Sequence, residues 1–177
     1  MELLVPGLIL VALMVYASTR IKKTAAQAFE PETVETDEFV IEKPEGFLHV
    51  INGDPQFAFE SYSKEYGGAG AEDIRQGTAK LHVRNGQQSE HALRDLLGPD
   101  AANINGVSEV INGIKYRVTE IKRTDKGREL CIQYKSADRN GNAYIFETVR
   151  LAETSPEFAR KIDAMLNSFE LKAGVDA

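Results

Sequence analysis

The stretch GIKYRVTEIKRTDKGRELCIQYKSADRNGNAYIFETVRL, running from Gly113 to Leu151, decides the fold. It breaks into three runs, Gly113 to Arg123, Arg128 to Ser136 and Ala143 to Leu151, each rich in β-branched and aromatic residues. Between them stand Thr124-Asp125-Lys126-Gly127 and Asp138-Arg139-Asn140-Gly141-Asn142, turn residues of the kind that join antiparallel strands. The spacing predicts a three-stranded meander. In its last run Tyr144 and Phe146 fall on one face and Ile145, Val149 and Leu151 on the other, so that strand needs cover from both sides.

Two amphipathic helices stand ready to give it. Downstream, Ser155 supplies an N-cap, Pro156 the first helical position and Glu157 a negative charge near the helix start. Phe158, Ile162, Met165, Leu166 and Phe169 then recur three and four apart. Upstream, Ser89 caps a helix with Leu93, Leu96 and Leu97 on one face, stopped by Gly98-Pro99. Earlier still come strand-like runs. Phe39 and Ile41 end at the turn Pro44-Glu45-Gly46-Phe47, and Phe47 to Ile51 ends at Asn52-Gly53-Asp54-Pro55. Gln56 to Tyr66 ends at Gly67-Gly68-Ala69-Gly70, and Thr78 to Val83 ends at Asn85-Gly86. The expected class is α+β: an antiparallel β-sheet flanked by helices on both faces, an α/β/α sandwich.

The opening Phe-x-Ile-x-Lys-Pro-Glu-Gly-Phe (Phe39 to Phe47), the mid-chain helix, the meander and the closing Ser-Pro-Glu-Phe…Met-Leu-Asn-Ser-Phe-Glu-Leu (Ser155 to Leu171) together resemble the PsbP-type fold. That family includes the extrinsic protein of photosystem II and bacterial domains without assigned chemistry. The resemblance covers residues 38–172. It implies an antiparallel sheet flanked by helices, and a role in binding or assembly rather than turnover. It carries over neither a photosystem role nor any binding residue.

The N-terminus reads differently. Leu3 to Ala17 carries no charge, and from Glu2 to Ile21 a helix would be about 30 Å long, just enough to cross hydrocarbon. Leu3, Leu8, Ile9, Leu10, Leu13 and Tyr16 would face lipid, with Arg20, Lys22 and Lys23 at the headgroups. The expectation is an N-terminal transmembrane helix over 1–21, an acidic linker over 22–37, the α+β domain over 38–172 and a short tail over 173–177. The cations after the span predict a single-pass inner-membrane protein, N-terminus out and C-terminal domain cytoplasmic. Two alternatives stand beside it. One is a cleaved signal peptide, with Ala26-Gln27-Ala28 as the small-x-small site and a periplasmic or secreted domain. The other is a buried helix.

Composition narrows the function classes. The 177 residues carry a formal net charge of −6, with basic residues scattered among acids, which argues against nucleic acid as a partner. His82 and His91 lack a third metal ligand at matching spacing, and the lone Cys131 reads as a small filler rather than a reactive thiol. Gly67 to Gly70 lacks the Lys-Ser or Lys-Thr of a phosphate loop. Glu109, Glu120, Glu129 and Glu147 lie among Lys115, Arg117, Lys122, Arg123, Arg128 and Lys135, where cross-strand ion pairing is the ordinary explanation. No cofactor, metal or catalytic residue is indicated. Phe57, Phe59, Tyr62 and Tyr66 are the candidate partner-binding residues, core packing being their ordinary fate.

The expected function is a membrane-anchored, non-catalytic binding or assembly domain. Its partners would be the lipid bilayer and a membrane-associated protein. The alternatives are a secreted domain or a small-ligand-binding domain with a cleft between the sheet and the helix at Ser89 to Leu97.

Overall fold

The computed structural model describes Met14 and residues 26–68, 73–98, 106–125 and 127–172. Its elements run β1 (Glu32–Glu35), β2 (Phe39–Lys43), β3 (Phe47–His49), β4 (Phe57–Ser63), β5 (Gly77–Asn85), α1 (Ser89–Leu97), β6 (Gly106–Ile111), β7 (Ile114–Asp125), β8 (Arg128–Arg139), β9 (Asn142–Leu151), α2 (Pro156–Ser168) and β10 (Glu170–Leu171). Asn140 and Gly141 take φ of 50° and 74°, the paired left-handed conformation of a two-residue hairpin turn, and close β8 onto β9. Asn112 and Gly113, at 52° and 79°, do the same between β6 and β7.

A seven-stranded antiparallel sheet results, in the order β3-β4-β5-β9-β8-β7-β6. Its centre is the doubly apolar β9, between β5 and β8. One face carries Leu81, Tyr116, Ala137, Tyr144 and Phe146 against Ile162, Met165, Leu166 and Phe169 from α2 and its end. Phe39 and Ile41 of β2 and Leu171 of β10 join the same core. The other face carries Ile121, Ile132, Tyr134, Ala143 and Ile145 under Ala92, Leu93 and Leu97 of α1.

This is not the expected α/β/α sandwich. The protein is mostly antiparallel β-structure in two sheets, and the helices that lie wholly within the described residues are two, of 9 and 13 residues. The second sheet, β1-β2-β10, shares with α2 the covering of one face. Its strands are too short to show a period: β10 has two residues and β1 four, so neither declares itself in the sequence. Glu32–Glu35, inside the stretch read as an acidic tether, is β1, paired in register with β2 from Glu32↔Lys43 to Glu35↔Val40. Two sheets hold where side chains cross between them. Tyr116 accepts a hydrogen bond from the Leu171 backbone N–H at 2.7 Å, and Asn112 donates to Glu170 at 3.2 Å. Helix α2 lies so close to β5 that a Cβ on Gly77 would collide with Ile162 and stand 3.0 Å from Phe158.

The membrane expectation is also corrected. Among the described residues no helix is long and apolar enough to cross a membrane. The longest helix among the described residues, the 13-residue α2, is about 20 Å long against the ~30 Å of hydrocarbon. The single-pass inner-membrane placement with a cytoplasmic domain therefore has no spanning helix among the described residues to rest on. Leu3, Leu8, Ile9, Leu10, Leu13, Tyr16, Arg20, Lys22 and Lys23 lie outside the described residues.

Candidate binding cleft

Helix α1 covers only part of its face of the sheet. Past its N-terminus the inward row of side chains turns from apolar to polar, because Tyr134 on β8 is followed two residues on by Ser136 and then Asp138. The strand register sets their neighbours. Arg117 lies opposite Ser136 on one side and Ser108 on the other, and Lys115 lies opposite Val110. The result is a cleft of 460 Å³ lined by Ser89 and Glu90 of α1, Gly106 and Ser108 of β6, Lys115 to Arg117 of β7, and Ser136 and Asp138 of β8. That volume lies in the range of small-molecule sites.

The acids of the cleft are already engaged. Asp138 accepts from the Ser89 backbone N–H at 2.6 Å and from the Ser89 hydroxyl at 2.7 Å. It therefore caps α1 from another element, while Gln88, at the N-cap, makes no side-chain cap and Ser89, expected to cap, stands inside the helix. Glu90 pairs with Arg94 one turn on, at 2.7 Å. Ser136 donates to the Arg117 carbonyl at 3.5 Å. The cations are not engaged: among the described residues neither the Lys115 ammonium nor the Arg117 guanidinium has a carboxylate or other side-chain partner. Arg117 lies across the neighbouring strand, its Nε 2.6 Å from where a Cβ on Gly106 would sit. Only glycine at 106 leaves that path open. The cleft thus offers two cations with no side-chain partner among the described residues, beside hydroxyls and the Asp138 carboxylate, a setting for an oxyanion.

Elsewhere Lys122 pairs with Glu129 at 3.2 Å and Lys135 with Glu109 at 3.3 Å, while Arg128 pairs with Glu153, beyond the end of β9, at 3.3 Å. Lys115 and Arg117, read from the sequence as members of that network, stand outside it. The signal that finds them is Asn112-Gly113. It fixes the β6–β7 hairpin and shows that no acid of β6 falls opposite either cation.

The four aromatic candidates separate. A register shift between Phe57 and Phe59 sets Phe57 opposite His82 but Phe59 opposite Leu81, so residues two apart face opposite ways. Phe59 is buried in the α2-side core. Phe57 is half-buried, edge-on to the His82 ring at 5.0 Å. Tyr62 and Tyr66 both stack on the Arg75 guanidinium, 4.5 and 4.0 Å from their ring centres, and Tyr66 is exposed. Cys131 is buried and makes no disulfide. Among the described residues no group of three His, Cys, Asp or Glu side chains is placed to hold a metal ion. Of the Gly67 to Gly70 run only Gly67 and Gly68 are described.

Two titratable groups on the α1 face lie outside the cleft. Burial drives the His82 pKa down to about 4, helped by Arg84 and Lys80, and neither ring nitrogen has a hydrogen-bond partner. Burial raises Glu147, against the opposing pull of a Tyr134 hydrogen bond and of Lys80 and Arg123.

No protein-family model and no curated protein matches the sequence. Solved structures match in fold. Cyanobacterial PsbP (CyanoP) of Synechocystis sp. PCC 6803 superposes with a TM-score of 0.51 at 10% identity, over 81% of this chain and 92% of that one. The Ran-binding protein Mog1p of Saccharomyces cerevisiae gives 0.54 at 9% identity, over 81% and 96%. LpqN of Mycobacterium tuberculosis, involved in cell envelope biogenesis, gives 0.53 at 8% identity, over 81% and 91%. The chain has the PsbP-like/Mog1 fold that these structures share.

Proposed function

We propose that this protein is a non-catalytic binding domain, and that its site is the cleft between the α1 N-terminus and strands β6 to β8. The observation that carries the reading is the pair Lys115 and Arg117, two cations without a side-chain partner among the described residues, inside a cleft whose own acids hold Ser89 and Arg94. The ligand class is an oxyanion, a carboxylate or phosphate, bound by charge-assisted hydrogen bonds from Arg117 and Lys115. The Ser89 and Ser136 hydroxyls of the lining already donate to Asp138 and to a backbone carbonyl. Mog1p, of the same fold, is itself described as a binding protein.

Calorimetric titration of the full chain with citrate tests this. Saturable binding is expected, weakened about tenfold or more in Arg117→Ala, equivalent to ~1.4 kcal/mol. Arg117→Lys should recover only part, because an ammonium cannot reproduce a forked contact. Citrate binding that is absent, or equally strong in Arg117→Ala, contradicts the proposal.

A second reading rests on Tyr62, Tyr66 and Arg75. Two tyrosines stacked on one arginine, with Tyr66 at 45% exposure, make the rigid aromatic and cationic surface typical of the centre of a protein interface. Phe57 borders the same face of the sheet.

A further inference from the structure

Among the described residues no strand pairs with the outer edge of strand β6. It ends the seven-stranded sheet, and five of its six residues are exposed, Val107 at 75% and Val110 at 69%. It carries no proline, and its register with β7 runs without a bulge from Gly106↔Thr119 to Ile111↔Ile114. Its single charge, Glu109, is taken by Lys135 at 3.3 Å. Natural edges are normally blunted by bulges, prolines or lysines, and one that is not blunted is a template for another strand.

The hairpin fixes which backbone groups are free. Ile111 and Ile114 flank the two-residue turn and form its hydrogen-bonded pair, so 111, 109 and 107 bond inward to β7. Gly106, Ser108 and Val110 therefore turn their N–H and C=O groups outward. By the alternation of a strand, these residues also share the face on which Gly106 and Ser108 line the cleft. Arg117 reaches across Gly106 toward that same edge.

We propose that β6 receives an extended, carboxylate-bearing segment of a partner protein as an added strand, its backbone paired with Gly106, Ser108 and Val110 and an acidic side chain on Arg117 and Lys115. The inference rests on the reading of the cleft as an oxyanion site and names the kind of molecule that carries the oxyanion. Strand addition gives affinity through main-chain hydrogen bonds and specificity through alternate side chains. Charge selects the occupant. A second copy pairing β6 with β6 would present only glycine, serine and valine on the cleft face, and would bring a second Arg117 and Lys115 toward the first pair. An acidic segment brings a carboxylate for the two cations to hold.

The probe is a capped peptide alternating glutamate and valine, titrated into the 15N-labelled full chain, with its glutamine counterpart as control. Binding is expected to shift the Gly106, Ser108 and Val110 amides and slow their hydrogen exchange, with the glutamine peptide about tenfold weaker or more. Val110→Pro, at an exposed position outside the cleft lining, removes one outward N–H, which an edge strand tolerates. It should weaken the peptide about tenfold while leaving citrate within about twofold. Gly106→Ala, which obstructs Arg117, should weaken both. Citrate binding with no peptide binding overturns the added strand and leaves the oxyanion cleft standing. Loss of both overturns both. Equal affinity of Val110→Pro for the peptide, or a β6-dependent dimer in sedimentation, overturns the proposal.

Discussion

Replacing Lys135 by alanine is expected to lower the unfolding free energy by about 4 kcal/mol, a large part of the ~5–15 kcal/mol available to a domain. Lys135 is fully buried on the α2 face of β8. Its ammonium donates to the Asn167 carbonyl at 3.0 Å, pairs with Glu109 at 3.3 Å and sits 4.8 Å from the centre of the Tyr116 ring. Helix α2 has no basic residue in its last turn, so the positive charge at its C-terminal end comes from the sheet. Alanine leaves a cavity where the stem was, orphans a carbonyl and unseats Tyr116, which holds β10 through the Leu171 N–H. Lys135→Met keeps the volume and should cost about half as much. Denaturant unfolding measures both. A loss below about 1 kcal/mol for alanine would mean that the ammonium does not tie α2 to the sheet.

Replacing His82 by leucine is expected to flatten the acid limb of the stability curve. With a folded pKa of about 4 against an ordinary 6.5, the unfolded chain takes up the proton first as pH falls. The native state is therefore at full advantage above pH 6.5 and loses ground down to about pH 4, by about 3 kcal/mol in all. The groups around the ring favour neutrality: Phe57 edge-on, Ile145 opposite on β9, and the charges of Lys80 and Arg84. Leucine removes a ring with two unbonded nitrogens, so stability at neutral pH should rise by about 1 kcal/mol. Parallel curves for the two proteins between pH 4 and 6.5 would show that His82 is solvated in the native state.

The parts of the fold legible in the sequence were those with strong local chemistry. Asn140-Gly141 announced the β8–β9 hairpin, and Ser155 caps α2 by accepting from the Phe158 N–H at 3.2 Å. The small sheet was not legible, since β1 and β10 exist through pairing with β2 rather than through a period of their own. Nor was β6, half of a hairpin whose turn lies at Asn112-Gly113. The candidate site depended on register. Glu109 differs by one position from Ser108, and that one step sends its carboxylate through to Lys135 on the opposite face and leaves Arg117 unpaired. The divergence of Phe57 and Phe59 likewise needs the irregularity between them, which composition does not declare.

The most direct test maps where an oxyanion lands. In 15N–1H spectra of the full chain titrated with citrate, the shifted amides should cluster at Ser89, Gly106, Ser108, Arg117 and Ser136, the walls of the cleft. Shifts centred instead on Tyr62, Tyr66 and Arg75, or scattered over every exposed lysine and arginine, would contradict the assignment of the binding site to this cleft.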